Sequence, residues 1–339
     1  MQIEYRSCNP EFVYPFTISK GTKTHQPTFI VKLQHFAWQG FGEAPAINYY
    51  NVTVEKMIAE LEMKRKFIEK FAFTDPDRFW HFLHHLFPNN PFLVCALDMA
   101  GWDLYAKFKK QPLHQLLKLN INDAPNTDYT IGIDSVDRMV EKMKANPWPI
   151  YKVKVGVPGD IEMVKALREN TNAKIRVDAN AGWSLAEAIE KVPQLKVLDV
   201  EFIEQPLAKD NWDGMRELLN QNFGIPFFAD ESCVNEKDVE KCKGYFNGIN
   251  IKLTKCSGIT PALRMIKNAR SLGLQVMLGC MNESSIGSAA MAHLSPLVDY
   301  LDMDGPLLLK EDLATGLTIN PDKISVSGEF GLGIQPTIF

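Results

Sequence analysis

Three acidic residues, Asp178, Glu204 and Asp230, each close a short apolar run: Ile175-Arg176-Val177-Asp178, Glu201-Phe202-Ile203-Glu204 and Phe227-Phe228-Ala229-Asp230. The intervals 178 to 204 and 204 to 230 are both 26 residues, about the length of one strand, one helix and two loops. A carboxylate is costly to bury alone, so three of them at equivalent points of a repeating βα unit call for a cation. Ligands that are all oxygen suit a hard ion such as Mg2+. Lys152 and Lys154 lie upstream in Tyr151-Lys152-Val153-Lys154-Val155, where the two-residue strand period puts both amines on one face. On an edge strand they would be a solvated feature that blocks aggregation. In a barrel strand, buried on both faces, their inward face is the mouth of the barrel. Lys252 ends Ile249-Asn250-Ile251-Lys252, four strands further around, so its amine faces the lysine pair across the cavity. Such a site offers proton acceptors on both sides of one bound carbon.

The elements that must hold these residues are visible as a repeat. From about Tyr129, short apolar runs recur with helix-compatible segments between them: Tyr129 to Ile133, Tyr151 to Val155, Lys174 to Asp178, Glu201 to Glu204, Pro226 to Asp230, Gly248 to Lys252, Gln275 to Leu278 and Asp299 to Asp302. Eight strands alternating with helices predict an α/β fold, a modified (β/α)8-type TIM barrel. Ser184, with Glu187 three residues on, reads as a helix N-cap. Residues 1–125 read differently, as an N-terminal α+β capping domain. Apolar runs around Phe29 to Phe36 suit antiparallel strands, and Val54 to Phe71 and Pro76 to Phe87 have helical spacing. Small residues between Ala96 and Leu104 suit a helix packed closely on a neighbour. The polar, turn-rich stretch Asn120 to Asp128 marks the boundary, with the catalytic barrel at 126–310. The segment 311–339, rich in Gly and Pro, has no barrel-type helix pattern and is expected to return to the cap.

Composition narrows the function classes. A formal charge of −4 and a pI near 6.0 leave no basic footprint, which argues against nucleic acid or an acidic membrane surface as partner. The start, Met1 to Arg6, has no apolar signal region, and no stretch approaches the roughly 20 apolar residues that span a bilayer, so a cytoplasmic protein is expected. The six cysteines form no C-x-x-C pair, which argues against a zinc ribbon and a disulfide scaffold. His81 and His85 have helical metal spacing, but aromatic neighbours and the lack of an acidic third ligand make them helix-surface residues. Gly40-Phe41-Gly42 lacks the strand, third glycine and helix of a dinucleotide fingerprint.

The lysine pair, Val177-Asp178-Ala179-Asn180, Phe202-Ile203-Glu204-Gln205-Pro206, Ala229-Asp230-Glu231-Ser232 and Asn250-Ile251-Lys252-Leu253 together resemble the enolase superfamily, in its muconate-lactonizing subgroup. The likeness runs over essentially the whole chain, and Gly279 to Gly287 also looks like that subgroup's seventh-strand segment. Leu301-Asp302-Met303-Asp304-Gly305-Pro306 resembles the Asp-x-Asp signature of dipeptide epimerases. In that family the pair holds the substrate's α-ammonium group, a role that suits two carboxylates in a partly dry mouth. A solvated turn would fill the same composition. The resemblance implies one Mg2+ held by Asp178, Glu204 and Asp230. It also implies bases at Lys154 and Lys252, and a supporting Lys152 that disfavours a second ammonium beside it and stabilises an enediolate. The expected reaction is inversion of the α-carbon of a dipeptide's C-terminal residue by two-base 1,1-proton transfer. Thr130, Cys280 and Lys20 are further candidate substrate contacts, Lys20 within a loop around Phe16 to Thr24 that in the family covers the site and reads side chains. Ala-Glu is the default substrate, with small uncharged dipeptides such as Ala-Ala as rivals, since that loop offers Lys20 and Lys23 but no arginine. The alternatives are o-succinylbenzoate synthase, a cycloisomerase or N-acylamino acid racemase, which share lysines and metal but need no Asp pair. The superfamily is often oligomeric, which leaves a homo-oligomer open.

Overall fold

In the computed structural model, which describes residues 1–339, the chain opens with strands β1 (Gln2–Cys8), β2 (Glu11–Ile18), β3 (Gly21–His25), β4 (Thr28–His35) and β5 (Trp38–Pro45). β1, β4 and β5 pair antiparallel with β4 in the centre, while β2 and β3 form a separate hairpin. Three helices follow, α1 (Val54–Glu69), α2 (Pro76–Leu86) and α3 (Pro91–Phe108), capped at their starts by Thr53, Asp75 and Asn90. The two-residue period of β4 divides its side chains: Phe29, Val31 and Leu33 enter the cap's own core, and Ile30 joins the larger core shared with the barrel. Helix α3 does the same, with Leu93, Ala96 and Ala100 turned to the cap and Cys95 and Met99 to the barrel. That double burial explains why most of its circumference is apolar. It lies so close to β5 that a Cβ at Gly42 would stand 1.9 Å from the Ala96 carbonyl oxygen. Close approach, rather than a nucleotide, accounts for Gly40-Phe41-Gly42.

The barrel strands are β6 (Tyr129–Ile131), β7 (Ile150–Lys154), β8 (Lys174–Asp178), β9 (Val200–Glu204), β10 (Phe227–Ala229), β11 (Gly248–Ile251), β12 (Gln275–Gly279) and β13 (Tyr300–Asp302). Each pairs in parallel with its sequence neighbour. The ring closes through a single parallel bridge, Thr127 to Leu301, just before β6. Four strands stop short of their apolar runs, β7 by Val155 alone and the other three for local reasons. After Ile131 the chain turns to the hairpin, where Ile133 N donates to Thr17 O at 2.9 Å. Asp230 N leaves the ladder to donate to Gln205 Oε1 at 3.0 Å, and Lys252 begins the one-turn helix Leu253–Cys256. Inside, Arg176 lies over the Phe202 and Tyr300 rings, and Phe202, Phe228 and Met277 pack together, which plugs the barrel below the polar residues. Ser184 and Glu187 form the capping box of helix Leu185–Val197.

Two carboxylates of the cap seat it on the barrel. Glu43, fully buried on β5, accepts from Ser284 N (3.1 Å), Ser284 Oγ (2.6 Å) and Gly287 N (2.9 Å) at the start of helix Ser285–Leu294. Asp98 on α3 accepts from Thr260 N (3.0 Å) and Thr260 Oγ1 (2.7 Å) at the start of helix Ile259–Ser271. Each supplies, across the interface, the acceptor that the first turn of a helix lacks. After β13 there is only one helical turn, Gly305–Leu308, and the following segment reaches α3, where Leu332 N donates to Asp103 Oδ1 at 2.7 Å.

Candidate active site

Strand register aligns the polar residues: Lys154 lies opposite Asp178, and Asp178 opposite Glu204. Glu204 lies opposite Phe228, and Asp230 is two positions beyond, on the same face. Asp178 Oδ2 accepts from Lys154 Nζ at 2.6 Å, and its Oδ1 from Asn180 N at 2.9 Å. Glu204 Oε1 accepts from Asn250 Nδ2 at 2.7 Å, and Asp230 Oδ2 from Lys252 Nζ at 2.9 Å. Burial opposes ionisation of all three. At Asp178 the Lys154 and Lys152 ammonium groups outweigh it, and at Asp230 those of Lys252 and Lys255 do, so both carboxyls lie well below the usual range. Glu204 goes the other way, raised by burial and then by the Asp178 charge. Its Oε2 is buried without a hydrogen bond, 2.8 Å from Lys152 Nζ. Three all-oxygen side chains on adjacent strands, one with an oxygen that accepts no hydrogen bond and meets only the Lys152 charge, fit a hard divalent cation.

Lys152 is fully buried beneath the cavity, 2.7 Å from Asp302 Oδ2 and 3.2 Å from Asp178 Oδ2. Burial would lower its pKa, but Asp302, Glu204, Asp178 and Asp128 hold it well above the ordinary lysine value. Lys154 and Lys252 line the cavity from strands four apart in the ring. Asp302 and Asp304 line it as well, both buried. The Thr130 backbone N–H donates to Asp304 Oδ2 at 2.6 Å. Cys280 Sγ lies 3.8 Å from Asp304 Oδ1. Burial and the Asp302 charge push the Asp304 carboxyl up to about 7. Cys280, Asp302 and Asp304 bring one ligand atom each within 4.8 Å of one another, a tighter cluster than the three strand-end carboxylates form. That cluster mixes a thiol with oxygens, whereas the strand-end carboxylates offer a hard cation oxygen alone. The cluster suits an ammonium group.

The β2–β3 hairpin covers a cavity of about 230 Å3, lined by Phe16, Ile18, Lys20, Tyr49 and Tyr50 on the cap side. Lys20 does not point freely into it. Its ammonium lies 3.6 Å from Glu231 Oε1 and 4.1 Å from the centre of the Tyr49 ring. Burial, then the charges of Asp230 and Asp178, push Glu231 up to about 7. Lys23 Nζ is turned to Gln26 Oε1 at 3.3 Å. Outside the site, His84 stacks on Trp80 and His85 bonds the backbone of its own helix, and all three histidines are exposed on the helix surface. Asn250, Gln205, Glu231 and Lys255, to which the sequence assigns no role, also bond or border the site. Asn250 carried a usable signal, since it stands two residues before Lys252 and so shares its face.

The chain matches two family models, "Mandelate racemase / muconate lactonizing enzyme, N-terminal domain" over residues 2–118 and "Enolase C-terminal domain-like" over residues 134–337. It is 48% identical over 334 residues to an L-Ala-D/L-amino acid epimerase of Flavobacterium johnsoniae, covering 98% of this chain and 99% of that one. Its structure is similar to a substrate-liganded complex of the L-Ala-D/L-Glu epimerase from Bacillus subtilis, with a TM-score of 0.92, 27% identity, and 99% and 98% of the two chains covered. A dipeptide epimerase from Cytophaga hutchinsonii, complexed with Mg and D-Ala-L-Val, also gives 0.92, at 28% identity and 99% and 95% coverage.

Proposed function

The chain belongs to the mandelate racemase / muconate lactonizing enzyme family of the enolase superfamily, and from that premise we propose that it is a Mg2+-dependent dipeptide epimerase. It inverts the α-carbon of the C-terminal residue of an alanyl dipeptide. The observation that carries the reading is that Lys154 and Lys252, four strands apart, reach one cavity whose last strand supplies Asp302 and Asp304. Amines on two sides of a bound carbon suit removal of a proton on one face and its return on the other. Two buried carboxylates at the far end suit the ammonium of a free dipeptide, which an N-acylated amino acid lacks.

In this assignment Asp302 and Asp304 fix the substrate's N-terminus, with Asp304 oriented by the Thr130 N–H. Lys154 Nζ takes the α-proton on one face and Lys252 Nζ delivers one to the other; the reverse reaction exchanges their roles. Mg2+ held by Asp178, Glu204 and Asp230 would offset the second negative charge that the substrate carboxylate acquires as it becomes an enediolate. Lys152, buried under the cavity, adds a fixed positive charge on the same side. The hairpin excludes water above. Lys20 faces Glu231, so an acidic side chain arriving there would meet a carboxylate together with the cation. We therefore read the C-terminal residue as not restricted to Glu, which is in line with the name of the relative from Flavobacterium johnsoniae.

The test is mass-spectrometric deuterium uptake in D2O across a library of L-Ala-L-Xaa dipeptides with Mg2+. Exchange at the C-terminal α-carbon, accompanied by formation of the L,D product, is expected for several side chains. No exchange in any dipeptide, with turnover of N-acylamino acids instead, would replace this reading by the racemase one.

A further inference from the structure

Lys255 has no part in the mechanism above and does not line the cavity, yet it is buried directly against Asp230. It lies on the one-turn helix Leu253–Cys256 that begins straight after Lys252. Its ammonium has three N–H groups to place. They reach the Asp230 backbone oxygen (2.6 Å), Cys233 O (3.0 Å) and Asn250 O (3.3 Å), and also Asp230 Oδ1. One side chain thus ties the end of β10, the turn after it and β11 together. Moving it away would strand several buried acceptors that no water reaches, so its position is fixed.

The two oxygens of Asp230 therefore differ. Oδ1 is committed to Lys255, which is buried, whereas Oδ2 meets Lys252, which lines the cavity. Ca2+ accepts six to eight oxygens and often takes both oxygens of one carboxylate, whereas Mg2+ keeps a strict small octahedron. We propose that Lys255 is a positioning residue that leaves Asp230 a single oxygen to offer, and so biases the site toward Mg2+ against Ca2+. The proposal rests on the reading of Asp230 as a metal ligand.

Isothermal titration with Mg2+ and with Ca2+, on metal-stripped wild type, Lys255→Met, Lys255→Gln and Asp230→Asn, tests both statements separately. The Met variant should move the ratio of the two dissociation constants toward Ca2+ by about tenfold or more, the scale on which outer partners of metal ligands act. Gln, whose amide can still donate to Oδ1, should move it less. A purely structural lysine would weaken both ions by the same factor and leave the ratio alone, which overturns the inference. Unchanged Mg2+ binding in Asp230→Asn overturns the ligand reading instead. Should the Met and Gln variants fail to fold, a crystal structure of the Mg2+-loaded wild type decides: Asp230 binding through both oxygens, or Lys255 detached from Oδ1, would sink the proposal.

Discussion

Replacing Asp304 by Asn should damage catalysis and stabilise the fold at the same time. Asn is nearly isosteric and keeps an oxygen for the Thr130 N–H, now 2.6 Å from Oδ2, so the backbone of β6 has no reason to move. What is lost is charge. Truncating one partner of a buried ion pair costs about 2 to 5 kcal/mol, so kcat/KM for alanyl dipeptides should fall by roughly 30-fold or more. Stability moves the other way, because burial and the Asp302 charge raise this carboxyl from 3.8 to about 7 in the folded state. A folded-state pKa above the unfolded one means that the native protein binds the extra proton. The ionised carboxylate then costs stability that is absent below pH ~4, grows between pH ~4 and ~7 and is complete above, to at most about 4 kcal/mol. The Asn variant should therefore melt higher than wild type, and by more at pH 8 than at pH 5, in the absence of substrate. Steady-state kinetics with L-Ala-L-Xaa substrates and thermal melts at both pH values give the two readouts. Undiminished kcat/KM, with equal turnover of N-acetylated dipeptides, would refute the ammonium role. A lower melting point at pH 8 would refute the charge-burial argument on its own.

Chelation with EDTA should abolish activity and Mg2+ restore it, and Glu204→Gln should weaken Mg2+ in titration calorimetry by at least ~10-fold, since one of three anionic ligands is neutralised. Lys154→Ala and Lys252→Ala should each block epimerisation in both directions while retaining α-proton exchange of one stereoisomer, read by mass spectrometry in D2O; wild-type epimerisation in both variants would dismiss the two-base assignment. Glu43→Ala strands the Ser284 and Gly287 donors at the head of a buried helix and should lower stability by roughly 3 kcal/mol or more in urea titration, with an unchanged melting curve the contrary result.

The barrel was legible because parallel strands print a regular pattern: eight apolar runs, five of them ending in a charged residue, and a constant 26-residue interval between three of the carboxylates. The two-residue strand period predicts that Lys152 and Lys154 share a face, and both amines lie on Asp178 Oδ2, at 3.2 and 2.6 Å. The hairpin that roofs the site was visible only through resemblance. Its strand Glu11–Ile18 contains Pro15, has a bulge between Glu11 and Phe16 and is only partly buried, so its alternation is blurred. Glu43, Asp98 and Lys255 left no sequence signal. Each acts on a partner reached only through tertiary folding, Ser284, Thr260 and Asp230 respectively, and nothing local to the acidic or basic residue announces it.

Charge balance gives the proposed cation a reason that no single ligand does. Above pH ~7, where Asp304 and Glu231 are ionised as well, five carboxylates, Asp178, Glu204, Asp230, Asp302 and Asp304, share the floor with four lysines, Lys152, Lys154, Lys252 and Lys255. Two neighbouring pairs, Lys20 with Glu231 and Arg176 with Asp128, are neutral in themselves and leave the count unchanged. For turnover one of Lys154 and Lys252 must be neutral, so three ammonium groups face five carboxylates and two negative charges remain. A dipeptide adds one charge of each sign and cannot remove them. A divalent cation does. When the α-proton passes to the neutral lysine, the new ammonium and the new enediolate charge arise together, so the total stays at zero through the step. A monovalent ion would leave the floor short by one charge and a trivalent ion would exceed it, each at low dielectric where the imbalance is costly. Activity with Mg2+ or Mn2+ but none with Na+ or La3+ is the result expected from this count, and equal activity with Na+ alone would contradict it.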